Sequence, residues 1–379
     1  MPTAKSNPDW GTPPWQINFS PKPQPVPHSV DIAIIGAGFT GLAAAAWLRH
    51  IAPEKSVAVF EANRIGAGAS GRTGGMALAE SAAGDLPGLG DVLAGFARIT
   101  RDLQIDCDLA LPGAWEIART GGIKSSPIEW KDSGTLLVVN EVPGGTLDPG
   151  KLVAGLARAA EQHAAIILED HPVTKIGWSA KSNGTLTIEA GGAHCSAQKI
   201  LVATNALSLE LAALAGRAEP KLTLAIATKP LGESELQAIG LAGRNPFYTV
   251  DLPYLWGRVR TDRSVIFGAG LVDADETGDL SNVNVATGRA AELFVAIERR
   301  IRDLHPALAK TEFTHRWGGP ILIADNWRPV FTRHPRSENA LVLGAYAGHG
   351  VALSVYLGAW AAEALMGRRP LPSWGAIAR

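Results

Sequence analysis

Residues 30–41 read Val-Asp-Ile-Ala-Ile-Ile-Gly-Ala-Gly-Phe-Thr-Gly, and the architecture follows from how this stretch is punctuated. Residues 30–35 are an almost unbroken apolar run, the pattern of a parallel strand buried on both faces. The run breaks at Gly36-Ala37-Gly38-Phe39-Thr40-Gly41, a G-x-G-x-x-G turn. It resumes as Leu42-Ala43-Ala44-Ala45-Ala46-Trp47-Leu48, which is good helix composition. Gly36 permits the tight turn, Gly38 lets a pyrophosphate approach the backbone, and Gly41 lets the helix pack close to the strand. The helix N-terminus then offers unpaired N–H groups and a positive dipole end to the phosphates. A second apolar run, Val57-Ala58-Val59-Phe60, ends at Glu61, 20 residues after Gly41. An acidic side chain there accepts hydrogen bonds from an adenosine ribose.

Five glycines fall within the ten residues 66–75, Gly-Ala-Gly-Ala-Ser-Gly-Arg-Thr-Gly-Gly. Directly after a ribose-binding strand, such a loop lets backbone run against a flat, extended cofactor, with Ser70 and Arg72 supplying polar contacts. Upstream, residues 1–28 carry Pro8, Pro13, Pro14, Pro21, Pro23, Pro25 and Pro27 beside Trp10, Trp15 and Phe19. That proline density favours extended polyproline II and excludes a helix. Two tryptophans are out of place in a disordered leader, so an arm packed on the body is expected.

The chain of 379 residues is long enough for two domains with large cores, and its formal net charge of −1 supplies no basic excess for nucleic acid. Cys107 and Cys195 are the only cysteines, which suits a reducing compartment and leaves no disulfide framework or metal cluster. No charged-then-apolar signal and no run of about 18 apolar residues is present, so a cytoplasmic protein away from membranes is expected.

The strand-turn-helix with G-A-G-F-T-G, the strand ending at Glu61 and the G-A-S-G-R-T-G-G at 68–75 resemble the FAD-dependent amine and amino-acid oxidases of the D-amino-acid-oxidase superfamily. The likeness is greatest to the γ-glutamylputrescine oxidase branch, whose loop usually reads G-A-S-G-R-N-G-G, with Thr73 here in place of the asparagine. The resemblance implies a Rossmann-like α/β FAD-binding domain and a discontinuous α+β substrate domain built on an antiparallel sheet. The expected division is an arm at 1–28, the FAD-binding domain at 29–85, 146–221 and 311–379, and the substrate domain at 86–145 and 222–310.

Along the chain, residues 80–130 read as helices with an insertion-like loop, and 135–140 as a strand. Asp148-Pro149 starts a helix, aspartate at the N-cap and proline in the first turn. Ile166-Ile167-Leu168 is a short strand, and Val173 matches the family's adenine-bracketing position. Strand 200–203 runs into Thr204-Asn205-Ala206, similar to the family's A-T-N-A segment. Residues 222–228, 247–250, 255–260 and 265–268 alternate as half-exposed antiparallel strands, with a hairpin turn at 261–264. A helix over about 286–304 stops at His305-Pro306. Tyr254, Trp256 and Arg258 are pocket candidates on this sheet. The chain returns through Trp317-Gly318-Gly319-Pro320 and Trp327 to a strand at 340–344. Tyr346-Ala347-Gly348-His349-Gly350 then opens a last helix at 351–366, with Gly367 as its stop. That G-H-G resembles the family's C-terminal flavin motif. A helix N-terminus aimed at the flavin N1/C2=O edge would stabilise the negative charge of reduction.

The resemblance thus implies non-covalent FAD held by Gly36, Ala37, Gly38, Phe39, Thr40, Gly41, Glu61, Ala62, Arg64, Ala69, Ser70, Arg72, Thr73, Gly74, Gly75, Met76, Val173, Thr204, Asn205, Gly319, Gly348, His349, Gly350, Val351 and Ala352. Tyr254, Trp256, Arg258, Trp327 and His349 are the expected reacting-site residues. The implied step is hydride transfer from a C–H beside an amine nitrogen to flavin N5, followed by imine hydrolysis. No nucleophile or metal is required. Amino-acid oxidases of the superfamily carry a G-L-R-P arginine for the substrate carboxylate. Here the segment is Gly319-Pro320-Ile321-Leu322, which favours a simple amine, with Arg258, Arg316 or Arg328 as alternative carboxylate partners. No cysteine precedes Gly348 to tether a flavin, and no oxygen-activating lysine occurs in 264–270. An oxidase using O2, a dehydrogenase with another acceptor, a nicotinamide enzyme and a non-catalytic flavin-bearing subunit are the competing readings. The last would show a blocked space over the flavin.

Overall fold

The computed structural model describes residues 9–123, 125–179, 184–276 and 278–376; Pro8 of the arm lies outside the described residues. The run at the head of the chain forms the strand Ser29–Ile35 at the centre of an eight-stranded sheet. It pairs in parallel with Val57–Phe60 on one side and Ala193–Val202 on the other. Beyond them lie Ile166–Leu168 at one edge and Ser337–Gly344 followed by antiparallel Val330–His334 at the other. The strand is apolar on both faces because both are covered. Ile32 and Ile34 enter the core beneath the helices, while Val30, Ala33 and Ile35 enter a second core on the opposite face.

Helices Phe39–Ile51, Pro149–Gln162 and Gly350–Leu365 form the first layer. Asp148 caps the second of these, accepting the Lys151 N–H at 2.9 Å, with Pro149 in the first turn. Helix Val92–Asp102, which the sequence reading groups with the substrate domain, packs Val92, Leu93, Phe96 and Ile99 into this same core.

The second sheet also has eight strands, in the order Phe313–Ala324, Ala218–Thr228, Val265–Asp273, Trp256–Val259, Phe247–Thr249, Ala114–Ala118, Thr135–Val142 and Glu129–Lys131. All neighbours are antiparallel except Phe247–Thr249 with Ala114–Ala118. The alternation sorts the faces. Leu222, Leu224 and Ile226 pack under helix Gly288–Leu304, whereas Thr223 and Ala225 face a cavity between the sheets. The fold class is therefore the mixed α/β arrangement expected. Strand Phe313–Ala324 crosses to this second sheet, although the sequence reading returns the chain to the first domain at residue 311.

The arm lies against both halves. Trp10 and Trp15 are only 3% and 8% exposed, and the Trp10 indole donates to Leu280 O at 3.1 Å.

Candidate flavin and substrate site

One cavity of about 950 Å3 runs from the G-x-G-x-x-G turn, under the last helix's N-terminus, to the inner face of the second sheet. At its first end Gly36 has φ +103°, and a Cβ there would sit 2.7 Å from Ala203 O. Gly41 permits the helix to start so near the strand, since its Cβ would fall 1.9 Å from Gly36 O. Gly38 is the N-cap of Phe39–Ile51 and has no side chain to satisfy the free N–H groups. Gly36, Gly38, Phe39 and Thr40 line the cavity, whereas Ala37 and Gly41 serve behind it.

Glu61 stands at the cavity wall with its carboxylate already oriented. Oε2 accepts from Ala37 N–H at 2.8 Å and Oε1 from Asn63 N–H at 3.0 Å. Burial raises its pKa, and those two backbone donors oppose the rise. Each carboxylate oxygen keeps a further lone pair for a ribose hydroxyl. Ala62, Ala69, Ser70, Thr73, Gly74, Met76, Val173, Thr204, Asn205 and Gly319 also line the cavity. Ser70 Oγ accepts from Phe39 N–H at 2.8 Å, tying the glycine loop to the helix start. Asn205 Oδ1 accepts from Ala345 N–H at 2.9 Å, linking the ends of two parallel strands.

The charged residues named in the sequence reading go elsewhere. Arg64 points outward to Glu169 and Asp170, at 2.9 and 3.4 Å. The Arg72 guanidinium turns to the arm, donating to Gly11 O at 2.7 Å, although the residue borders the cavity. Arg258 lies behind the loop, fully enclosed, donating to Gly74 O. Burial holds its pKa down to about 10, so it stays a cation near neutrality. It does not line the cavity. Trp256, two residues earlier on the same face, does, and its ring lies where a Cβ on Gly74 would be 2.2 Å away. Arg316 is engaged by Glu298, and Arg328 is not in the wall. Gly75 and Ala352 also lie outside the wall.

Gly348, His349, Gly350 and Val351 close the cavity at the start of Gly350–Leu365, whose N-terminus receives no side-chain cap from His349. Burial lowers the His349 pKa and favours the neutral imidazole. Its Nδ1, Thr204 Oγ1 and Ser354 Oγ are buried without a hydrogen-bond partner among the described residues, and all three residues line the cavity. Unsatisfied polar groups at a cavity wall are the mark of a polar ligand's site.

At the substrate end, Tyr254 and Trp327 are 50% and 44% exposed at the mouth. The sequence reading missed Arg300, which also lines this end. Its Nε and Nη2 grip Asp132 at 2.9 and 2.6 Å, while Nη1 and Nη2 hold Tyr254 O and Pro253 O at 2.8 and 2.9 Å. Arg119 shares Asp132 and binds Asp251. These charges thus brace residues 251–254. On a helix rich in surface arginines, nothing local distinguishes Arg300. Tyr248, likewise missed, lines the cavity with its hydroxyl on Glu116 at 3.0 Å. Burial pushes the Cys107 and Cys195 thiols up to about 12 and about 11, so neither is a nucleophile.

Residues 31–364 match the family described as DAO, FAD dependent oxidoreductase. The chain is 27% identical over 390 residues to a probable oxidoreductase OrdL of Rhizobium meliloti (strain 1021), covering 91% of this chain and 85% of the relative. It is 26% identical over 382 residues to the gamma-glutamylputrescine oxidoreductase of Escherichia coli (strain K12), covering 89% and 84%. Its fold matches glycine oxidase from Geobacillus kaustophilus with a TM-score of 0.72 at 18% identity, over 93% of this chain and 99% of that one. L-proline dehydrogenase from P. horikoshii matches with a TM-score of 0.70 at 17% identity, over 91% and 95%. FAD fits the residues present. The helix start at Gly38, the oriented Glu61 and the unpartnered atoms of Thr204, His349 and Ser354 all border one elongated cavity.

Proposed function

This chain belongs to the DAO family of FAD dependent oxidoreductases, and from that footing we propose that it oxidises a C–N bond of an amine bearing no carboxylate on the reacting carbon. Bound FAD supplies the hydride acceptor, and the residues around it supply position and electrostatics. The charge of the substrate end carries the reading. From Tyr248 to Trp256, along Val265–Asp273 and Gly288–Leu304, Arg300 is the one charged side chain in the wall among the described residues, and Asp132 engages it. Ile321 adds an apolar side chain where the superfamily resemblance leads one to expect a carboxylate-binding arginine. An α-carboxylate here would lose its water without a fixed partner.

Trp256, Trp327 and Tyr254 form an apolar wall that disfavours a buried ammonium and keeps the amine in its neutral, reactive form. Neutral His349 is available to accept a hydrogen bond from it. A carboxylate several bonds from the reacting carbon is tolerated, because it reaches the open mouth beside half-exposed Tyr254 and Trp327 and keeps its water. The name of the Escherichia coli relative supports an amine of that kind. The product imine hydrolyses in water, and dioxygen is the proposed electron acceptor. The cavity continues past the cradle to the inner face of the second sheet, which supports a catalytic reading over a purely structural subunit.

The test is anaerobic stopped-flow reduction of the bound flavin by matched pairs, each amine beside its α-carboxylated analogue. The amine member should react at least about 30-fold faster, the effect of roughly 2 kcal/mol. Faster reduction by the α-amino acids across the pairs sinks the assignment.

A further inference from the structure

We propose that the N-terminal arm is a positioning element for the cofactor: Trp10 to Trp15, together with Trp317 of the second sheet, hold the glycine loop at residues 66–75 and set the face it presents to FAD. The loop belongs to no helix or strand, so its shape must come from neighbours. On its front, Ser70 Oγ takes the Phe39 N–H, and Gly66 N–H donates to Ala37 O at 2.9 Å. Two indoles occupy consecutive carbonyls of the loop; Trp15 stands behind it, whereas Trp317 also borders the cavity. Trp15 Nε1 donates to Gly71 O and Trp317 Nε1 to Arg72 O, each at 2.8 Å.

These two tryptophans pack edge to face with centroids 5.5 Å apart, and Trp317 is fully buried. Arg72 completes the tie from the loop side, donating to Gly11 O with its guanidinium 5.6 Å above the Trp10 ring. Trp10 O in turn accepts Gly318 N–H at 2.7 Å, so the arm is itself anchored on the second sheet.

The consequence follows from peptide geometry. In a trans peptide C=O and N–H point in opposite directions. Holding Arg72 C=O against Trp317 therefore sends the Thr73 N–H the other way, and Thr73 lines the cavity. The arm acts on flavin affinity through the loop, and no arm residue is needed in contact with the ligand.

The inference rests on the flavin cradle and is independent of the substrate reading. The test titrates full-length apoprotein with FAD, following flavin fluorescence, and separately records apoprotein melting. Trp15→Phe keeps an aromatic ring and removes the indole donor together with the five-membered ring, a loss of volume that the control shares. Trp130→Phe is the control. It removes a like bond, Nε1 to Ile239 O at 3.0 Å, in the core of the second sheet. Trp15→Phe should raise the FAD Kd about fivefold, the size of one net hydrogen bond, with Trp130→Phe within twofold of the parent. If Trp15→Phe does not fold, Trp10→Phe, which loosens the arm's anchor at Leu280 O and touches no cavity wall, is judged by the same criterion. An unchanged Kd in the arm variant, or equal weakening in the control, overturns the proposal.

Discussion

Glu61 and the arginines show how differently single side chains can be read. A carboxylate ending a strand beside a G-x-G-x-x-G turn has few places to go, and Ala37 N–H meets it at 2.8 Å. By position, Arg64 and Arg72 were plausible flavin contacts and Arg258 a candidate of the reacting site. Each instead binds a carboxylate or carbonyl brought near by distant chain: Glu169, Gly11 and Gly74. A long side chain's destination depends on which backbone falls within its reach, and that is not local information. At this scale Gly38 is the sharpest probe. Its φ of −85° suits any residue, but a Cβ would stand 2.8 Å from Ser70 Oγ, and valine's methyls would project where phosphate must approach. Gly38→Val should fold and lose FAD affinity at least about 30-fold, roughly 2 kcal/mol. Full flavin occupancy in the purified variant shows that the turn does not hold the pyrophosphate.

Among elements, the pair that shapes the cradle is Phe39–Ile51 and Gly350–Leu365, whose starting turns both border the cavity. Thr40 Oγ1 and Tyr346 OH join them at 2.7 Å. Gly358 allows their contact, because a Cβ there would lie 2.6 Å from Thr40 O and 3.1 Å from Ala43 Cβ. Gly358→Val should therefore destabilise the apoprotein by about 3 kcal/mol and weaken FAD binding together with it. Chemical denaturation of the apoprotein reads the first effect, and an unchanged midpoint contradicts the close crossing. Strands were less legible than helices. Phe313–Ala324 pairs with Ala218–Thr228 along its length, yet Gly318-Gly319-Pro320 are poor strand formers, and only the partner's register makes them a strand. The hairpin between Leu186–Ala190 and Ala193–Val202 turns on Gly191-Gly192, with φ of +56° and +79°. That Gly-Gly signal stood in the sequence.

For the whole molecule, the cavity between two sheets gives FAD and the proposed substrate one space, and its lining bears on why flavin should come away intact. Cys107 and Cys195 are buried and do not line the cavity, so nothing in its wall offers a thiol for a covalent tether. Acid precipitation should leave colourless protein and a yellow supernatant that chromatographs as FAD; colour retained in the pellet contradicts this. The turn at 36–41, Glu61, the helix caps and the α/β class follow from the chain's own order, because strand burial, glycine turns and caps act over a few residues. The substrate end and the hold on the glycine loop do not. Arg300 reaches Tyr254 O only because helix Gly288–Leu304 crosses the second sheet, and Trp15 meets Gly71 O across 56 residues of sequence. Glycine turns and helix caps are dictated by neighbours in sequence, whereas a side chain's partner is dictated by which surfaces the packed sheets bring together. The dinucleotide turn was thus written locally, whereas the hold on the glycine loop and the far wall of the cavity came into being only with the tertiary fold.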